Sequence, residues 1–126
     1  MKRVDWAVEE MVAMVDLYYK FKDSPNTVLQ EALLILSQRL NKRADIFGIV
    51  HDEKYRNYNG MKMIFENIRY IDTSGKKGLS STSQLMQGVV DLYHNNSYIF
   101  NKIIDEFNIK YGEVSVWVLA KYEEVM

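Results

Sequence analysis

"SPNTVLQEALLILSQRLNK", residues 24–42, decides the fold class. Leu29, Ala32, Leu33, Leu36 and Leu40 recur at spacings of three and four, so they fall on one side of a 3.6-residue helix. Ser24 is the expected N-cap and Pro25 the first helical residue, where a missing N–H costs nothing. A leucine stripe of this kind needs another apolar surface to cover it. The chain on either side supplies candidates.

Upstream, "DWAVEEMVAMVDLYYKF", residues 5–21, is apolar around most of a helix. Asp5, Glu9 and Asp16 share its one polar stripe, and acids near the start suit the helix dipole. Downstream, residues 43–56 carry no sustained period and read as a long loop, pinned to the core by Ile46, Phe47, Ile49 and Val50. A third helix begins at Asn57 or Asn59, with Met61, Ile64, Phe65, Ile68 and Ile71 inward and Asn59, Lys62, Met63, Glu66, Arg69 and Tyr70 outward. "TSGKKGLS", residues 73–80, is a glycine-bounded basic turn. Ser81 and Gln84 form the expected capping box of a fourth helix running to about His94. Asn95 or Asn96 starts a fifth, whose buried side is Ile99, Phe100, Ile103, Ile104 and Phe107.

The tail "GEVSVWVLAKYEEV", residues 112–125, alternates like a strand but has the length and neighbours of a helix. A lone strand would lack a partner, so a helix is preferred. The expected fold is therefore mainly α: one compact domain over residues 1–126, with about five to six helices. Its first three helices follow the order of a helix-turn-helix-like trihelical unit, although the loop between the second and third is longer than the strict motif allows.

Composition agrees. The 126 residues are 48% hydrophobic and carry a net charge of −1, which fits a globular chain rather than a disordered one. No cysteine is present, which excludes disulfides and thiolate metal sites. The start "MKRVDWAVEEM" has acids inside its apolar run, unlike a secretory signal, and no apolar stretch approaches the ~18 residues of a membrane span. A soluble, cytoplasmic protein that binds no membrane is expected. The overall charge hides a division, however. Residues 1–53 carry seven Lys/Arg against nine Asp/Glu, residues 54–78 carry six against two, and residues 79–126 carry three against six. The basic middle segment points to an anion-facing surface.

Catalytic signatures are scarce. His51 sits in "VHDEK", but consecutive loop residues converge poorly on one metal and no second histidine lies at ligand spacing. His94, closing the fourth helix, suits a helix C-terminus without any catalytic role. "GKKGLSS" lacks the spacing and preceding strand of a phosphate loop. The adjacent acids Glu9-Glu10, Asp105-Glu106 and Glu123-Glu124 point apart on a helix and read as surface charges. No catalytic residue, metal ligand or cofactor is expected, and the chain is read as non-enzymatic.

Five stretches carry a resemblance: Trp6–Glu10 (W-x-x-E-E), Asp16–Lys20 (D-L-Y-Y-K), Leu36–Leu40 (L-S-x-x-L), Tyr55–Met63 (Y-R-N-x-N-G-M-x-M) and Ile71–Ser80 (I-D-T, then G-K-K-G-L-S). In this order the series resembles the N-terminal domain found ahead of the nuclease module in many bacterial HNH endonucleases of restriction type, over about residues 4–107. Arg56-Asn57-x-Asn59-Gly60 is its most specific part. Tyr58 replaces a proline of the family pattern, Asp72-Thr73 replaces Asp-Pro, and the nuclease module has no counterpart, so nuclease activity is not carried over. The resemblance implies a DNA-reading or target-sensing module of a restriction or defence system. On that basis Arg56, Asn57, Asn59, Lys62, Arg69, Lys76 and Lys77 are the expected DNA contacts, the cations for phosphates and the amides for base edges. The alternative is a protein partner: an accessory or inhibitor of a defence nuclease, including a phage-encoded one. A homodimer remains open.

Overall fold

Helix α1 (Val8–Phe21) is the axis of the structure. Helices α2 (Asn26–Ile46), α3 (Tyr58–Asp72), α4 (Gln84–Asn95) and α5 (Ser97–Tyr111) follow, and α1 packs against all four. The computed structural model describes residues 4–112, and no strand occurs among them. The mainly helical expectation holds, with five helices among the described residues. The helix-or-strand question at residues 113–126 lies outside the described residues. No helix among the described residues is long and apolar enough to cross a membrane.

The central position of α1 follows from its sequence. Met11, Val12, Ala13, Met14, Val15, Leu17 and Tyr18 are all buried, so this helix has almost no solvent face along its middle. Burying a large apolar side chain contributes about 1.5–3 kcal/mol, and α1 supplies more such residues than any other helix described. On α2 the stripe is as expected, with Leu29, Leu33, Leu36 and Leu40 buried and Ala44 continuing it one turn further. On α3 Met61, Phe65 and Ile68 are buried, with Ile64 and Ile71 half-buried at the edge. Phe100, Ile104 and Phe107 of α5 complete the core.

Several boundaries differ from expectation. Pro25, not Ser24, holds the N-cap of α2, because its ψ of 153° leaves it extended and Asn26 is the first helical residue. Helix α2 runs on to Ile46 and closes in a Schellman motif: Gly48 N–H bonds Asp45 O at 3.1 Å and Ile49 N–H bonds Ala44 O at 2.9 Å, with Gly48 at φ 68°. Ile46 and Phe47 are consequently exposed, as is Val50, and they do not pin the loop; of the four residues expected to do so, only Ile49 is half-buried. Ile46 lies about 200° around the helix from the buried Ala44, which puts it on the outer side. At α4 the cap is Ser83, whose Oγ accepts from Met86 N–H at 3.1 Å, rather than Ser81. Gln84 is then the first helical residue and cannot occupy the third position of a capping box. In α5 Asn96 is the cap, and Ile99 is 38% exposed rather than inward.

Candidate nucleic-acid interface

The third helix and the turn behind it carry most of the basic segment. Asn57 Oδ1 caps α3 by accepting from Gly60 N–H at 2.9 Å. Gly60 itself is an ordinary helical residue; a Cβ there would meet the capping oxygen at 3.1 Å. Asn59 is exposed in the first turn. Further along, Lys62 Nζ and Arg69 Nε approach separate oxygens of Glu66, at 3.5 and 3.0 Å. Arg69 also lies over the rings of Phe65 and Tyr18, which fixes its stem against the helix.

The basic turn is held against the same helix. Helix α3 ends with Ser74 N–H bonding Ile71 O and Gly75 N–H bonding Tyr70 O, both residues in the left-handed region. Thr73 Oγ1 accepts from Lys77 N–H at 3.0 Å, and Leu79 N–H bonds back to Glu66 O at 3.1 Å. Gly78, at φ 88°, lies directly on the α3 backbone: a Cβ would come within 2.3 Å of Glu66 O and 2.7 Å of Tyr70 N. No side chain fits there. The chain is thus doubled back along the flank that bears Glu66 and Arg69, with Lys76 and Lys77 exposed on the turn.

Arg56 departs from the expected surface. Its guanidinium sits bidentate on the carboxylate of Glu10, Nε to Oε2 at 2.9 Å and Nη2 to Oε1 at 3.1 Å. Its remaining donors reach Val4 O and Asp5 O, and the group is sandwiched 4.3 Å from the Trp6 ring centre and 4.4 Å from that of Tyr55. Glu10 is buried, so the reading of Glu9-Glu10 as two surface charges holds only for Glu9. Glu9 is partly exposed and pairs with Arg43 at 2.6 Å. Arg56 turns inward, while Asn57 is occupied as a cap. Asn59, Lys62, Arg69, Lys76 and Lys77 remain accessible in whole or part.

Two further features go beyond the sequence expectations. Asp72 accepts hydrogen bonds from Tyr18 at 2.7 Å and Tyr19 at 3.0 Å, and the Tyr19 oxygen lies 2.9 Å from His94 Nε2. With Tyr19 donating to Asp72, the imidazole N–H donates to Tyr19. Burial raises both phenols, and their bonds to Asp72 raise them further. Burial also acts to raise Asp72, but the two hydroxyls and Lys22 outweigh it and hold the carboxyl below its ordinary value. This chain ties α1, α3 and α4 together and gives His94 a packing role. The second feature is Asn67, buried on α3 with no hydrogen-bond partner for Oδ1.

His51 Nε2 lies 2.7 Å from Asp45 Oδ1; that hydrogen bond raises its pKa. Among the described residues no group of three His, Cys, Asp or Glu side chains could hold a metal ion. No family model, curated protein or solved structure matches this chain.

Proposed function

We propose that this chain is a non-catalytic nucleic-acid-binding module that lays the outer side of α3 and the following turn along the backbone of duplex DNA. One observation carries the reading. The turn holding Lys76 and Lys77 is stapled to α3 beside Glu66 and Arg69, so among the described residues four cations (Lys62, Arg69, Lys76, Lys77) share one flank with a single paired acid. Cations fixed on a rigid helix and a tight turn suit phosphate contacts, which position a protein on DNA. Asn59, exposed at the start of α3, is the remaining candidate for a base edge. The resemblance to restriction-type endonuclease domains supports a target-sensing role in a restriction or defence system.

The test is a fluorescence titration of a labelled duplex at low and moderate salt. Lys76→Ala/Lys77→Ala is expected to weaken binding and to flatten the log–log salt slope by about two units, one for each lost phosphate contact. Wild-type protein that leaves the duplex unbound at low salt removes this reading. A second reading, docking onto a defence nuclease, is favoured by the apolar side chains at the end of α2, where Ile46, Phe47 and Val50 are 58, 57 and 77% exposed. Such a surface would act through a stable protein complex, independent of salt.

A further inference from the structure

The outermost line of α3 changes character halfway along. At about 100° per residue, Asn59, Met63, Glu66 and Tyr70 lie opposite the buried Met61, Phe65 and Ile68. The turn of residues 73–80 covers the second half of this line. Gly78 rests on the backbone of Glu66 and Tyr70, and Gly75 sits against the Tyr70 ring, so both side chains are half-buried. The first half has no such cover. Asn59 and Met63 are exposed, and on the side away from Lys62 an open cleft separates α3 from Trp6 and the start of α4. The N-terminal half of α3 therefore stands as a ridge, with Lys62 along one side and open space along the other. The major groove, about 12 Å wide, admits an α-helix, and a recognition helix meets base edges with its N-terminal residues.

Met63 is the unusual residue on this ridge. It is 57% exposed and takes no part in the core, which Met61 and Phe65 fill from the same helix. Lysine or glutamine would support the helix equally well at that position. In a major groove, a long apolar side chain can meet the one apolar group on a base edge, the C5-methyl of thymine. The unbranched thioether chain adapts to such a contact. Asn59 lies one turn earlier, and its amide makes no hydrogen bond to another described residue. An asparagine pairs with adenine N6 and N7 together. Four residues span about 6 Å of helix, roughly two base-pair steps of about 3.4 Å, so the two side chains reach different pairs.

We propose that α3 enters the major groove by its N-terminal half and that Met63 packs on the C5-methyl group of a thymine, with Asn59 on the adenine edge of a nearby pair. The protein thereby selects sites containing A·T pairs. This preference rests on the duplex-binding reading and adds to it. Lys62, Arg69, Lys76 and Lys77 meet phosphates, which carry no sequence information, whereas Met63 supplies the discrimination.

The experiment is a titration at low salt of a labelled alternating A·T duplex and of the same duplex with uracil in place of thymine, which lacks only the methyl group. Wild-type protein is expected to bind the thymine duplex about fourfold more tightly, the worth of one buried methyl group. Met63→Ala is expected to bind both duplexes alike at an unchanged melting temperature, and Met63→Leu to keep a preference for thymine. Lys76→Ala/Lys77→Ala should weaken both duplexes by the same factor and preserve their ratio. The wild-type comparison needs no variant, so it decides the matter even if Met63→Ala fails to fold. Equal binding of the thymine and uracil duplexes overturns the proposal and leaves duplex binding standing. A folded Met63→Ala that still prefers thymine overturns it too. Protein that binds neither duplex removes the duplex reading and this preference together.

Discussion

Arg56 lies bidentate on Glu10, 2.9 and 3.1 Å from its two oxygens, with the arginine side chain 8% exposed and the carboxylate 1%. The glutamate also accepts from Ala7 N–H at 3.0 Å, so one buried carboxylate closes the start of α1 and anchors the loop before α3. Removing one member of a buried ion pair costs about 3–5 kcal/mol where the remaining charge is left uncompensated, an upper bound here because Arg43 Nη1 also lies 3.7 Å from Glu10 Oε1. Glu10→Ala and Arg56→Ala are each expected to lower the urea midpoint by an amount of that order. Their double mutant should lose much less than the sum. Arg56→Lys should not rescue, because a lysine cannot reproduce the fork or the stacking between Trp6 and Tyr55. An Arg56→Ala protein with wild-type stability and no DNA binding would return Arg56 to the interface.

The turn after α3 makes a sharper demand on one glycine. Gly78→Ala would place a methyl 2.3 Å from Glu66 O at a φ of 88°, so both space and backbone oppose it. Strain at such a position costs about 1–3 kcal/mol before the displacement of the turn is counted. Gly60→Ala, with its Cβ at 3.1 Å from a single side-chain oxygen and a helical backbone, should change the melting temperature far less. Gly60→Val adds bulk beside the Asn57 cap and should fall between the two. Thermal melts of the three variants rank them, and a Gly60 variant worse than Gly78→Ala would refute the stapled turn.

How much was legible differs by element. The leucine stripe of α2 and the amphipathic face of α3 were readable, because burial on one side of a helix leaves a period in the chain. Glu10 was readable too, and was passed over: it falls four and seven residues before Met14 and Leu17, on the core side of α1. Asn67 likewise shares the edge of the apolar stripe with Ile64 and Ile71, three before and four after it. Arg56 left no such trace. Its partners lie far away in the chain, and a loop residue at φ 47° obeys no period. The fold back of Lys76 and Lys77 depends on Gly78 meeting a backbone twelve residues earlier, which no local pattern encodes.

Acid should loosen the structure through Asp72. Its folded-state pKa is depressed, so its contribution is present above the ordinary carboxylate value near 3.9 and is lost as pH falls through the lower folded value. Asp72→Asn keeps the shape but offers only one acceptor to two tyrosines. It should cost about 1.5–3 kcal/mol at neutral pH, and the gap to wild type should close below about pH 4. Denaturant melts at neutral pH and at pH 3 test this; a gap that stays constant would show that the charge of Asp72 is not what holds Tyr18 and Tyr19.

Among the described residues Glu66 is the one acid on the proposed DNA-facing flank, and it bears on the duplex reading more directly than any cation there. It draws Lys62 to 3.5 Å and Arg69 to 3.0 Å, at a side-chain exposure of 25%. Pairs this exposed contribute at most about 1 kcal/mol, so Glu66→Gln should leave the fold nearly unchanged. The substitution removes a negative charge from the flank and releases two cations to meet phosphates. Duplex affinity is therefore expected to rise several-fold at low salt, with a steeper salt slope, and the gain should fade as the Debye length shortens toward about 8 Å at physiological ionic strength. A weaker Glu66→Gln complex would mean that the glutamate holds Lys62 and Arg69 in their binding positions, and unchanged binding would place the DNA contact away from α3. Only a tighter complex agrees with phosphates lying along this flank.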